Sequence, residues 1–119
     1  MPHCIVEYSQ NLDQEVPPAE WLEAVKKACI ASSIFDVSDI KLRGIPYKNF
    51  ITGGEEDAFV HVTIRMLSGR TMTQRSELSA LILRALEGFT INNVSFTVDV
   101  VEMEISTYAK KVVCLNESQ

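Results

Sequence analysis

Residues 58–66 have the sequence AFVHVTIRM, which alternates between two classes of side chain. Every second residue from Ala58 to Met66 is apolar, whereas the residues between them include His61, Thr63 and Arg65. Successive side chains of a strand point to opposite faces of a sheet, so this alternation predicts a strand with one buried face. The segments before and after it must supply the cover for that face.

Two segments predict helices that can provide this cover. Gly69 ends the strand, and Thr71 and Gln74 then have the spacing of a capping box, which satisfies free N–H groups at a helix start. One face of this helix is apolar and consists of Leu78, Leu81, Ile82, Ala85, Leu86 and Phe89, the predicted apolar stripe, with Gly88 near the end of the helix. Earlier in the chain, Pro17 and Pro18 predict the opening of another helix, since proline is tolerated in the first turn. Its apolar face is Trp21, Leu22, Val25, Ala28 and Cys29.

Three further strands complete a repeated pattern. They cover residues 3–8, 40–45 and 94–104, and Pro46 indicates that the second of them ends there or lies at a sheet edge. The order strand-helix-strand therefore occurs twice, in residues 2–47 and 57–104. Crossover units of this kind make the two strands of each half parallel. We predict an α/β (α+β) two-layer sandwich, a tandem βαβ repeat with a four-stranded sheet and two helices on one face.

The second face of this sheet remains partly apolar, through residues such as Phe59 and Val101. An uncovered apolar sheet face on a small domain favours burial against other subunits. The tail, residues 105–119, contains Val112, Val113 and Leu115, which could pair with the edge of a neighbouring chain. We therefore expect one domain spanning residues 1–119 that forms an oligomer, with an inter-subunit tail.

The charge and hydropathy of the chain limit the classes of partner that it can bind. The chain has 119 residues and a net charge of −5, from 16 acidic and 11 basic side chains, which disfavours nucleic acid. An anionic small molecule stays compatible, because a few cations in a pocket can outweigh the global charge. No apolar run approaches the roughly 20 residues of a membrane helix, and the N-terminus lacks a secretory pattern, so a cytoplasmic protein without membrane partners is expected.

The cysteines and histidines do not indicate a metal site or a disulfide framework. Cys4, Cys29 and Cys114 are far apart, odd in number and form no CxxC pair, and the chain has two histidines. We expect core or surface thiols and no metal.

The N-terminus offers a candidate base. Met1 is followed by Pro2, a small residue that permits removal of an initiator methionine. The exposed secondary amine would titrate near pH 8 like other α-amino groups, and a nearby cation or poor solvation would lower its pKa further. It would then accept a proton at neutral pH, as a general base must. Many chains begin with Met-Pro, so the dipeptide alone does not identify an enzyme.

The surrounding blocks strengthen this interpretation. They are PH-x-IVE-x-S at residues 2–9, IF at 34–35, IKLR at 40–43, DAFVHVT at 57–63 and GR at 69–70. In this order and spacing they resemble the 5-carboxymethyl-2-hydroxymuconate isomerase family of the tautomerase superfamily, over roughly residues 2–105. The loop at 46–54 and the tail resemble that family little.

The resemblance implies a homotrimer of βαβ-βαβ subunits whose active sites lie near subunit boundaries. It implies that Pro2 moves a proton between carbons of an unsaturated, carboxylated oxo-acid from aromatic breakdown, without a metal or an organic cofactor. The dienolate formed on the way needs a positive or hydrogen-bonding partner, and its carboxylates need cations to orient them.

Lys41, Arg43 and Arg70 are the candidate substrate-binding cations. Lys41 and Arg43 are two apart on a strand and share a face, and Arg70 precedes a helix start that favours anions. Solvated surface charges are the alternative interpretation of all three. Lys41 replaces what looks like an arginine in the family and loses the planar two-pronged contact, which leaves the substrate open. For His3 and His61 we favour hydrogen-bonded structural roles over acid–base chemistry.

Two other hypotheses remain beside the isomerase. A ferredoxin-like regulatory module has the same strand-helix-strand repeat and would bind a small ligand without chemistry. A family member could also keep the trimer and lose the activity. A free Pro2 amine and its contribution to turnover distinguish the three.

Overall fold

A computed structural model describes residues 1–115 of the chain. Its regular elements are β1 (His3–Ser9), α1 (Pro18–Ser32), β2 (Lys41–Tyr47), β3 (Ala58–Leu67), α2 (Met72–Glu87) and β4 (Val94–Met103). Short 3-10 turns lie at Gln10–Gln14, Val37–Asp39 and Ile105–Thr107. The predicted order of elements is confirmed, with bounds that differ by one or two residues at the strand ends.

The four strands form one mixed sheet in the order β2-β1-β3-β4. β1 is parallel to β2 and β3 is parallel to β4, while β1 and β3 are antiparallel at the centre. The two halves of the sequence are therefore two βαβ units joined along their first strands, as the repeat predicts. Pro46 lies inside β2, which is an edge strand, so its missing N–H interrupts no second ladder.

The core lies between one sheet face and the two helices. The alternate residues of β3 predicted to face inward are buried, together with Cys4, Val6 and Tyr8 of β1. Trp21 of α1 is fully buried, and its ring lies 4.5 Å from the Phe89 ring, centroid to centroid. The predicted stripe of α2 packs on the same core, in part through fully buried Leu78, Ile82 and Leu86.

Local signals set the start of each helix. The side chains of Thr71 and Gln74 form the predicted capping box, with Thr71 Oγ1 accepting from the Gln74 N–H at 3.1 Å. Gly69 precedes this cap with a φ of +124°, a conformation that other residues adopt only with strain. Pro18 begins α1, where its missing N–H removes no helical hydrogen bond.

The side chains that alternate with the core residues form the open face of the sheet, which no helix among residues 1–115 covers. They include His3, Ile5 and Glu7 of β1, Arg43 and Tyr47 of β2, and Phe59, His61 and Arg65 of β3. Phe59 and Val101 are half-buried there. Within residues 1–115, no helix is long and apolar enough to cross a bilayer.

The tail leaves β4 and crosses the end of the sheet at which β1 begins. Tyr108 reaches His3 of β1, and Lys110 reaches Asp39 just before β2. Beyond them, Val112 and Leu115 are 62% and 98% exposed. The inter-subunit role of this tail stays a prediction, and residues 116–119 lie outside the described part of the chain.

Candidate active site

Pro2 lies in a buried position at the start of the central strand β1. Its side chain is less than 2% exposed, and its carbonyl accepts a hydrogen bond from the Lys41 N–H at 3.0 Å. Met1 covers it and is itself only 9% exposed. The Met1 ammonium group lies 3.5 Å from the Asp39 carboxylate. With Met1 attached, the nitrogen of Pro2 is an amide, which is not a base.

Cations surround the residue that follows Pro2. In the sheet register His3 lies between Lys41 on one side and Arg65 on the other, and Arg43 pairs with the next open-face residue, Ile5. All three cations are exposed on the open face. Strand alternation places Lys41 and Arg43 on one face, as predicted, and Arg65 on the same face beside them.

The hydrogen bonds of His3 fix its protonation. Arg43 Nη1 lies 3.2 Å from His3 Nδ1, and because a guanidinium only donates, Nδ1 must accept. The proton is then on Nε2, which donates to the Tyr108 hydroxyl at 2.8 Å. Burial, followed by the charges of Arg43, the terminal ammonium, Lys41 and Arg65, lowers the pKa of His3 from its usual value. His3 is thus neutral at pH 7.

The tail closes this end of the sheet. The Tyr108 hydroxyl donates to Met1 Sδ at 2.6 Å, and Lys110 Nζ lies 2.6 Å from Asp39 Oδ1. The hydrogen bond from Lys110 lowers the pKa of Asp39, and the same bond raises the pKa of Lys110. Asp39 therefore connects the tail and the chain terminus.

Arg70 has contacts of another kind. Its Nη2 donates to the Ile34 carbonyl at 2.6 Å, and its guanidinium lies 5.4 Å from the centre of the Phe35 ring. The N–H groups of Thr71 and Gln74 at the start of α2 are bound within the capping box. The structure thus shows Arg70 holding the segment after α1, and its role toward substrate stays a prediction.

The remaining predicted residues are also placed. Lys41 Nζ donates to the Ser38 carbonyl at 3.2 Å, so its charge stays near the start of β2. His61 Nδ1 lies 2.6 Å from Thr97 Oγ1, which agrees with a hydrogen-bonded structural histidine. Among residues 1–115, no cluster of three His, Cys, Asp or Glu side chains could hold a metal ion.

Sequence reasoning missed two residues of this site. Arg65 had a signal, because the alternation of β3 already assigned it to the open face. Tyr108 had none: it meets His3 across 105 positions of the chain, through a tail path that no local pattern specifies.

A groove in another part of the fold is not lined by the cations described above. A groove of about 620 Å³ lies between α1 and α2, lined partly by Glu20, Lys27, Leu81, Arg84 and Phe89. It is on the helical layer, on the other side of the sheet from His3.

The structure thus combines a tandem βαβ sheet with cations gathered at the start of its first strand. The family model of 5-carboxymethyl-2-hydroxymuconate isomerase matches residues 2–114. The chain belongs to that family and is an isomerase by class.

Solved structures share the fold at low sequence identity. A 5-carboxymethyl-2-hydroxymuconate isomerase from Deinococcus radiodurans R1 has a TM-score of 0.76 and 23% identity, over 92% of this chain and 88% of that one. A 5-carboxymethyl-2-hydroxymuconate delta-isomerase gives 0.77 and 17%, over 95% and 89%. A fused 4-OT described as a symmetric trimer gives 0.65 and 18%, over 84% and 85%. No curated protein sequence matches the chain.

Proposed function

We propose that this isomerase uses the amine of Pro2, freed by removal of Met1, as its general base. It moves a double bond in an unsaturated oxo- or hydroxy-acid that carries two or three carboxylates, without a metal or an organic cofactor. The family name and the cation-lined start of β1 together support this substrate class.

The observation that carries the proposal is the position of Pro2. It is fully buried, and the residue beside it has a pKa lowered by burial and by three side-chain cations. Lys41, Arg43 and Arg65 lie beside the strand start that would carry the free amine, and nearby positive charge disfavours protonation of an amine. This arrangement supports a neutral amine that accepts a proton, as a general base requires.

The reaction then proceeds as two proton transfers at one nitrogen. Pro2 takes a proton from the hydroxyl of a hydroxy-acid or from a carbon next to the unsaturated system of an oxo-acid, and the electron pair of the broken bond is left on the oxygen as a dienolate. The resulting prolinium returns the proton to the far carbon, and the double bond has moved. Arg43, Lys41 and Arg65 are the cations that can hold the carboxylates, with Arg43 suited to a two-pronged contact. Arg70 is kept as a candidate contact to a carboxylate from a second subunit.

We include a homotrimer in the proposal. The open face leaves Phe59, Val101 and Ile5 half-buried in a single subunit, and the fused 4-OT with this fold is a symmetric trimer. A trimer built on this face would place the site of one subunit beside another.

The decisive experiment compares two forms of the same chain. Intact-mass analysis separates protein that keeps Met1 from protein that starts at Pro2, and an ultraviolet assay with 2-hydroxymuconate-type dicarboxylates measures turnover of each. We expect activity only in the Met1-free form, and a loss in Pro2→Ala of about 10²- to 10⁴-fold in kcat. Pro46→Ala, at the exposed edge strand, is the matched control and should keep full activity.

Two results would contradict the proposal. Equal turnover with and without Met1 would exclude the Pro2 amine as the base. A Met1-free chain that binds these dicarboxylates and converts none would instead favour the small-ligand module or a member without activity.

A further inference from the structure

We propose that the Tyr108 hydroxyl donates a hydrogen bond to the substrate oxygen that becomes negatively charged, and that His3 positions this donor. The inference rests on the proposed role of Pro2 as base. It adds a residue of the tail to the site and gives the tail a chemical role.

A directed chain of hydrogen bonds ends at the Tyr108 proton. Arg43 donates to His3 Nδ1 at 3.2 Å, and His3 Nε2 donates to the Tyr108 oxygen at 2.8 Å. The oxygen of Tyr108 is thereby used as an acceptor, and its own proton is directed at Met1 Sδ, 2.6 Å away. Because the chain starts at a permanent cation, each bond polarises the next and strengthens the final donor.

The place to which Tyr108 points is the place that Met1 vacates. The Met1 side chain is 9% exposed and covers Pro2, so its removal opens a niche bordered by the new amine and by the phenol. A thioether is a weak acceptor, whereas an anionic enolate oxygen is a strong one. Removing Met1 therefore replaces a weak partner of Tyr108 by one that gains charge during the reaction.

Two contacts hold the donor in place before the substrate arrives. The rings of Tyr108 and His3 lie 6.0 Å apart, and two residues along the tail Lys110 binds Asp39. A donor already oriented toward developing charge needs little reorganisation in the transition state. Tyr108 keeps its proton in this step: the proton that moves passes from the substrate to Pro2, and the electron pair it leaves becomes the charge that Tyr108 stabilises.

The test compares two tyrosines in Met1-free protein. Tyr108→Phe keeps the ring and removes the donor, and we expect kcat to fall about 10²- to 10³-fold while KM changes by less than about threefold. Tyr47→Phe is the matched control, since its hydroxyl donates to Glu7 at the other end of the open face. It should keep kcat within about twofold, as expected for a position away from the charge that develops.

His3 variants separate positioning from folding. His3→Leu removes the bond to the Tyr108 oxygen and should lower kcat about tenfold, one lost oriented hydrogen bond. His3→Gln keeps an N–H that can donate to Tyr108, so it should recover most of kcat at an unchanged KM. This rescue by a side chain of different shape is not expected if His3 only fills space.

The outcomes are distinguishable from failure of the proposed base. If Pro2→Ala abolishes turnover and Tyr108→Phe retains kcat within twofold, Tyr108 is not the donor and Pro2 remains the base. If Tyr108→Phe raises KM alone, Tyr108 only binds substrate, which also overturns the inference. If Pro2→Ala itself changes nothing, the proposed function fails first.

Discussion

The open face of the sheet carries different chemistry at its two ends. At the cationic end, where β1 and β2 begin, His3, Lys41, Arg43 and Arg65 lie together. At the aromatic end, where β3 begins, Tyr47 donates to Glu7 and belongs to a small cluster of rings. The ring of Phe59 lies between those of Tyr47 and Phe50, at centroid distances of 5.9 and 5.4 Å.

The same four strands build both ends, so strand geometry does not explain the difference. The aromatic end pairs its one carboxylate with a phenol and packs its rings on each other. The cationic end gathers positive charges that repel one another. Between them lies His3, which is neutral and accepts a hydrogen bond from Arg43. This difference supports a structural role for the aromatic end and the proposed binding of an anionic ligand at the cationic end.

The largest change in kcat/KM is expected for variants of Arg43, which test whether the cationic end binds the substrate. Arg43→Ala removes both a carboxylate contact and the donor to His3, and we expect kcat/KM to fall about 10²-fold in Met1-free protein. Arg43→Lys should recover only part of it, since lysine lacks the two-pronged geometry. Steady-state kinetics at fixed ionic strength measure both variants.

Glu7→Gln provides the control at the aromatic end. It keeps the acceptor for Tyr47 and should leave kcat/KM within about twofold, because surface substitutions away from a site have small effects. A loss as large as that of Arg43→Ala would mean that both ends take part in binding.

For the free energy of unfolding, we expect substitutions at the aromatic end to have larger effects than substitutions at the cationic end. Phe59→Ala removes a half-buried ring that contacts two others, and we expect the free energy of unfolding to fall by about 1–3 kcal/mol. Arg65→Ala, six residues further along the same strand, should change it by less than about 0.5 kcal/mol. Urea unfolding at one protein concentration tests the pair, and equal losses would contradict the division of the face into a structural and a functional end.

The smallest expected effect is on how the stability of the fold depends on pH. The pKa of His3 is lower in the folded chain than the usual 6.5, so folding favours its neutral form. The stability that this provides is complete above the unfolded pKa and is lost as pH falls below about 6.5 toward the folded value. His3→Gln should flatten this part of the curve in unfolding experiments between pH 7.5 and 5, whereas His61→Gln, toward the aromatic end, should keep it.

Local patterns were sufficient for the scaffold and for half of the site. The alternation of residues 58–66 determined both the buried face of β3 and the open-face position of Arg65, and the spacing of Thr71 and Gln74 determined the start of α2. The repeat predicted which strands are parallel, because a short helical crossover permits little else.

The rest depends on contacts between distant segments. Nothing near Tyr108 in the sequence indicates that the tail returns to the first strand, since that path follows from the end of β4 and from Asp39. Arg70 also shows that local sequence does not determine side-chain contacts. Its position beside a helix start suggested an anion contact, but its guanidinium donates to the Ile34 carbonyl. Local spacing specifies where a backbone goes, and it does not specify which of several partners a long side chain meets.

Under the proposed role of Pro2, the burial of Met1 makes enzyme activity depend on timing during synthesis. β1 is central, and its partners begin at Lys41 and Ala58, so the N-terminus has no sheet to join until those residues have been made. At about 5–20 residues per second, this leaves an interval of several seconds in which an aminopeptidase meets a free end. Afterwards Met1 is 9% exposed and tied to Asp39, out of reach of such an enzyme. Under the proposed role of Pro2, two molecules translated from the same message thus differ in activity, according to whether Met1 was cleaved before or after folding.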